Sequence, residues 1–211
     1  IQRLNQPAPR IIVCVPTLDD ASGLDTDTGI ELIIGSRGLT TQRNRILRSA
    51  VTGSQIVVFL DDDFLPAPEF LPVIATTFAA QPNIAIATGH VLADGILTGG
   101  LELAEALDIL AVSRAPSDRI TEVYNAYGCN MAVRLAPVID HNVTFDERLP
   151  LYGWLEDVDF SRNIARYGRS VQIWGARGVH LGVKSGRQSG LKLGYSQVAN
   201  PVHLMRKRTM S

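Results

Sequence analysis

The sequence predicts an α/β fold, with a largely parallel central sheet and helices on its faces. Three observations carry this. Short apolar runs closed by proline or glycine alternate with helix-period segments through the first half of the chain. The most apolar run, residues 55–60, ends directly in Asp61-Asp62-Asp63. The 211 residues are 45% hydrophobic and 19% charged, enough to bury a core without staples.

Residues 11–15 read as a buried strand stopped by Pro16. Residues 18–29 hold four aspartates and two glycines without an apolar period, and read as a loop. A second strand covers 31–34 and is closed by Gly35. Residues 40–51 form an amphipathic helix, with Thr40 or Thr41 as N-cap. After the strand at 55–60, Pro66 and Pro68 open a helix reaching about Ala80. Residues 84–88 are a strand. Residues 100–113 are a helix with Leu101, Ala104, Leu107 and Leu110 or Ala111 on its inner face. A strand at 122–127 precedes Gly128. A helix at 154–167 ends at Gly168, and a strand at 171–174 leads into a glycine-rich loop. The tail from Ser196 is weakly helical. No repeat or linker divides the chain, so residues 1–211 read as one domain, with 196–211 as its tail.

The formal net charge of -1 gives no general attraction to nucleic acid or to an acidic membrane. Only Arg206-Lys207-Arg208 is a basic cluster; it reads as a solvated helix end or as a peripheral membrane contact. Cys14 and Cys129 are too few and too far apart for a disulfide framework or a zinc site, and fit a reducing, cytoplasmic compartment. No signal peptide is recognisable, and no apolar run approaches the ~20 residues of a membrane span.

Four groups of residues carry chemistry. Three adjacent carboxylates at a strand exit repel one another, and a hard divalent cation, Mn2+ or Mg2+, offsets that repulsion while bridging to phosphate oxygens. Strand alternation would turn Asp61 and Asp63 the same way and Asp62 elsewhere. The other reading of this triplet is a solvated turn capping the next helix. Glu156, Asp157 and Asp159 stand in the first turns of a helix, where a carboxylate either complements the helix dipole or serves as a general base. Trp154 beside them offers a flat face for a sugar ring, or simply packs. His180 lies between glycines after a strand and is an acceptable manganese ligand if the fold brings it to Asp63. Arg43, near a helix start, can grip a phosphate or a carboxylate.

In this order the groups resemble the family 2 glycosyltransferases of the GT-A fold. The resemblance runs through Val-Cys-Val-Pro-Thr at 13–17, Arg43-Asn44, Phe-Leu-Asp-Asp-Asp at 59–63, Gly128-Cys129-Asn130-Met131-Ala132-Val133-Arg134, Glu156-Asp157-Val158-Asp159-Phe160 and His180. It implies transfer of a sugar from a nucleoside diphosphate sugar to an acceptor hydroxyl, with inversion. Pro16 and Thr17 would lie against the nucleotide, Asp61, Asp63 and His180 would hold the metal, and Asp62 would approach the ribose or the donor sugar. Asp157 would be the base and Glu156 would orient acceptor or sugar. The chain departs from the family after Pro-Thr, where it has Leu18-Asp19-Asp20. It departs again at the exit of the second strand, where Gly35-Ser36-Arg37-Gly38 replaces the usual aspartate. Asp19 or Asp20 would then meet the base, and UDP is the expected nucleotide.

The acceptor class implied is a glycan or a lipid-linked glycan, as in polysaccharide assembly. The competing readings are a nucleotidyltransferase, a sugar-nucleotide-binding module without catalysis, and a retaining enzyme of the same fold. The acidic loop after Pro16 lacks the Gly-rich cationic cradle of a nucleotidyltransferase.

Overall fold

The fold comes from a computed structural model, and the residues described are 10–24, 29–113, 117–149, 153–183 and 190–210. Residues 25–28 of the expected acidic loop lie outside them.

Strands β1 (Ile11–Val15) and β2 (Ile30–Ile34) pair in parallel as a two-stranded sheet. Helix α1 (Leu39–Ala50) packs on β1, and β3 (Ile56–Leu60) follows. Next come β4 (Phe64–Pro66), α2 (Phe70–Ala80), β5 (Ile84–Asp94), the short α3 (Gly95–Thr98) and α4 (Leu103–Val112). The second half runs β6 (Ile120–Glu122), β7 (Asn130–Arg134), α5 (Leu135–His141), α6 (Glu156–Ile164), β8 (Arg169–His180) and α7 (Gly190–Lys207). The large sheet has the order β3-β7-β5-β8-β4, with β6 paired to the outer part of β8.

The α/β class and the helix-flanked central sheet are as expected, but the strand directions are not. Within the large sheet only β5 and β8 run parallel; β3–β7, β5–β7, β4–β8 and β6–β8 are antiparallel. Apolar periodicity reports that a strand exists, whereas direction depends on the connections. β4 follows β3 after a three-residue turn, and β6 and β7 arrive without a crossover helix between them.

Pleat alternation divides the core. Val57 and Phe59 of β3, and Met131 and Val133 of β7, face one layer with Leu47, Phe145, Phe160 and Ile164. Ala132 of β7 and Ile84 and Ala87 of β5 face the other, with Phe70, Ile74 and Phe78 of α2. Phe145 stacks on Phe160 at 4.1 Å and meets Phe59 edge-on at 5.6 Å, which anchors α6 to the sheet. Arg134 ties α2 down by donating to the carbonyls of Phe78, Gln81 and Ile84.

Several local expectations are corrected. Gly38, at φ 143°, precedes α1 in place of a threonine N-cap; the Thr41 hydroxyl instead donates back to the Gly38 and Ser36 carbonyls. Pro66 ends β4 rather than opening α2. The inner face expected for α4 is largely exposed, Ala104, Leu107 and Ala111 included, and the helix buries Ala106. Residues 175–180, expected as a glycine-rich loop, continue β8. There the missing side chain of Gly178 makes room for the Phe64 ring. The tail is a formed helix: Leu204 is fully buried, and Lys207 donates to Asp146 and Asp159 at 3.0 and 2.6 Å. Lys207 is therefore turned inward, and of the basic cluster only Arg206 and Arg208 are exposed.

Candidate active site

The expected catalytic residues gather where β3, β5 and β8 end and α6 begins. That is where open α/β sheets place their ligands. Asp61, Asp62 and Asp63 do not continue β3. They form a turn in which Phe64 N–H donates to the Asp61 carbonyl at 3.0 Å. Asp61 and Asp63 converge through this turn rather than through strand alternation, and Asp62 is left exposed. Asp63 is fixed by the end of β8. Its carbonyl accepts from Leu181 N–H at 2.8 Å, and its Oδ2 accepts from Val183 N–H at 2.9 Å.

His180, the last residue of β8, completes the cluster. One ligand atom from each of Asp61, Asp63 and His180 lies within 4.8 Å of the others. Nε2 of His180 is 3.2 Å from Asp63 Oδ1, and Nδ1 is 3.0 Å from Asp94 Oδ1 at the end of β5. The Tyr127 hydroxyl donates to Asp94 Oδ2 at 3.0 Å. The donor set fits a divalent cation on its own chemistry. Each residue has one polar atom pinned by protein: Asp61 Oδ1 by Arg43, Asp63 Oδ2 by Val183, and His180 Nδ1 by Asp94. The remaining atoms are two carboxylate oxygens and an imidazole nitrogen, the ligand types that manganese accepts.

Arg43 joins this cluster to the head of α6. Its Nη2 donates to Asp61 Oδ1 at 2.9 Å and to the Gly128 carbonyl at 3.0 Å, and its Nη1 donates to Glu156 Oε1 at 2.7 Å. The guanidinium also lies 5.7 and 5.6 Å from the Phe59 and Phe145 ring centres. Of the two partners the sequence offered for Arg43, phosphate or carboxylate, the fold supplies carboxylates and buries the guanidinium between them. Burial pulls its pKa down, but the charges of Glu156, Asp61 and Asp157 outweigh that and raise it.

Glu156 and Asp157 open α6 after Leu155, which sits in the left-handed region at φ 72°. A branched residue costs energy there, and the strain falls where the two carboxylates are aimed into the site. Asp157 Oδ1 accepts from Val158 N–H at 2.8 Å and Oδ2 from Gly128 N–H at 3.1 Å. Gly128 thus serves both partners: its N–H holds Asp157 and its carbonyl holds Arg43. A side chain there would press on Glu156 Oε1 at 3.1 Å and Arg43 Nη1 at 3.3 Å. Burial lifts Glu156 to about 8, with repulsion from Asp157 adding to it and Arg43 opposing it. Burial also raises Asp157 and Asp61 above the ordinary carboxylate range.

The other expected residues are placed around this centre. Trp154 is half-buried, and its carbonyl accepts from Asn200 Nδ2 at 2.7 Å. Pro16 lines a hollow of about 520 Å³ with Ile34, Gly35, Ser36, Thr41 and Arg45. Thr17 donates through both N–H and hydroxyl to Asp20 Oδ2, at 3.1 and 2.7 Å, and Arg37 donates to Asp20 Oδ1 at 3.2 Å. Asp19 and Asp20 are both exposed, and it is Asp20, through its bonds to Thr17 and Arg37, that orders this segment. Asp159, grouped with the base candidates by sequence, is wholly buried and held by Lys207 and the Thr209 hydroxyl, away from that work. Sequence reading missed Asp94 and Tyr127; the only signal was a carboxylate at the end of an apolar run, directly before Gly95.

These elements and their order define the GT-A fold, with its helix-flanked central sheet. The chain is similar in structure to residues 1–349 of TarS from S. aureus, at a TM-score of 0.55 and 16% identity over 82% of this chain and 52% of that one. It is similar to GalNAc-T7 solved with UDP, GalNAc and Mn2+, at a TM-score of 0.58 and 15% identity over 81% and 37%. It is also similar to the mannosyltransferase PcManGT from Pyrobaculum calidifontis with GDP-Man and Mn2+, at 0.55 and 17% over 84% and 49%. The chain thus spans about half the length of these proteins or less. No protein-family model matches the sequence, and no curated protein does. Among the described residues, no helix is long and apolar enough to cross a membrane.

Proposed function

We propose that this chain is a metal-dependent glycosyltransferase domain. It would move a hexosyl group from a nucleoside diphosphate sugar, UDP-linked by preference, to an acceptor hydroxyl with inversion. One observation carries the reading. Asp61, Asp63 and His180 converge with one ligand atom of each within 4.8 Å of the others, and Arg43 bridges that cluster to Glu156 at the head of α6.

A bound Mn2+ or Mg2+ would supply the charge that stabilises the departing diphosphate. The chain's own residues do the rest. Pro16 and the hollow beside it receive the nucleoside. Thr17 and Asp19 would add contacts to the donor, with Asp62 toward the ribose or donor sugar. The acceptor oxygen bonds to the anomeric carbon while the bond from that carbon to the diphosphate oxygen breaks. The acceptor's proton passes to Asp157, whose pKa burial raises, making it a stronger base than an ordinary aspartate. Glu156 orients the sugar or the acceptor, and Trp154 gives it a flat surface. The acceptor proposed is a glycan or a lipid-linked glycan, in a cytoplasmic setting.

The test is a melting screen of UDP- and GDP-sugars with and without Mn2+, followed by product analysis. A Mn2+-dependent donor shift, release of nucleoside diphosphate and an inverted product anomer support the reading. Release of pyrophosphate would identify a nucleotidyltransferase. Binding without turnover against any acceptor would leave a binding module.

A further inference from the structure

Helix α7 is inside-out. Its inward positions recur every four residues and are mainly polar: Ser196 and Asn200 are fully buried, as is Leu204 beyond them, and Lys207 reaches the buried Asp159. Its outward positions are apolar. Tyr195, Val198, Val202 and Met205 are 61, 69, 43 and 59% exposed. Their spacing of three, four and three residues sets them in one stripe, opposite the buried row. A solvent-facing helix normally has the reverse arrangement, so this stripe is shaped to be covered.

The charge around it identifies the cover. Helix α7 carries no aspartate or glutamate, and its cations are Lys192, Arg206 and Lys207. Exposed Arg206 and Arg208 stand at the C-terminal end of the stripe. Two copies of α7 face to face would bring these cations together with no carboxylate on either helix to answer them. An apolar stripe flanked by cations alone matches an anionic phospholipid surface, where apolar side chains enter the acyl boundary and arginines meet the phosphates.

We propose that α7 is an interfacial helix that docks this chain on an anionic membrane through Tyr195, Val198, Val202 and Met205, with Arg206 and Arg208 on the headgroups. The surface lies next to the site, because Asn200 on the opposite side of the same helix holds the carbonyl of Trp154. Docking requires no turnover, and it stands or falls separately from the transferase reading.

The experiment is flotation of the chain with vesicles of phosphatidylcholine alone, or of phosphatidylcholine with phosphatidylglycerol. The chain floats with the anionic vesicles, and the bound fraction falls as salt is raised. Val198→Asp with Val202→Asp abolishes flotation and leaves the melting transition and any donor-dependent shift unchanged, since both positions are exposed. Arg206→Ala and Arg208→Ala each lower the partition coefficient about fivefold. The proposal is overturned if the wild-type chain stays with the buffer or the aspartate variant floats equally. A concentration-dependent dimer that the aspartate variant dissolves, with no vesicle binding, would also overturn it.

Discussion

His180 Nδ1 lies 3.0 Å from Asp94 Oδ1, so the C-terminal ends of two parallel neighbouring strands, β8 and β5, meet through a histidine and a carboxylate. The contact orients the imidazole: Nδ1 faces Asp94 and Nε2 faces Asp63, so that with a cation bound Nδ1–H would donate to Asp94 and leave the Nε2 lone pair for the metal. Tyr127, from the loop before β7, holds the other oxygen of Asp94. The third metal-ligating candidate is thus oriented from behind by Asp94 and Tyr127.

Asp94→Ala is expected to weaken Mn2+ binding about 10- to 100-fold, as loss of an outer-sphere carboxylate does. Asp94→Asn keeps an oxygen for His180 and for the Ile96 N–H, and should lose less. Mn2+ titration followed by electron paramagnetic resonance measures both, without turnover. Equal affinities in all three proteins would refute the orienting role.

Arg43→Met should destabilise the fold by about 3 kcal/mol, because Glu156, Asp61 and the Gly128 carbonyl lose their shared buried donor. Urea midpoints at neutral pH test this. The same variant should bind Mn2+ less well, since the cluster's own Asp61 loses the guanidinium that fixes its Oδ1.

The acid limb of kcat/KM should lie above the ~4 of an ordinary aspartate, because burial raises Asp157 and the base must be unprotonated to act. Activity therefore rises as pH climbs through that raised pKa. Asp157→Asn should stop transfer at every pH and spare the donor-dependent melting shift. Retained turnover would argue against Asp157 as the titrating base.

Acid should loosen the contact between α7 and the body. Asp146 accepts from Arg148, His203 and Lys207, and these bonds, Arg148's first, hold it well below the usual range. A depressed carboxylate contributes its full stability above the unfolded pKa, about 3.9. That contribution drains as pH falls below this value toward the folded pKa, because the unfolded chain takes up the proton first. Asp146→Asn should flatten the dependence of the urea midpoint on pH across this range, while the wild type keeps its slope.

The sequence by itself determined the local elements whose information is local. The run at 55–60 is a strand because consecutive branched and aromatic residues fill both faces of a pleat, and it carries Asp61 to the site. The grouping of Glu156 and Asp157 at the head of a helix was equally legible, as was a histidine closing a strand. Tertiary structure alone decided which charges meet. Arg43 lies 113 residues from Glu156, and His180 lies 86 from Asp94. Their pairing depends on β7 entering antiparallel between β3 and β5, and on β8 running beside β5. Strand direction and the partner of a buried charge are set by the packing of the whole chain, and no window of sequence contains them. For the same reason Lys207, solvated or membrane-facing by composition, is drawn inward by two aspartates distant in sequence, while Tyr195 and Val198 are left facing out.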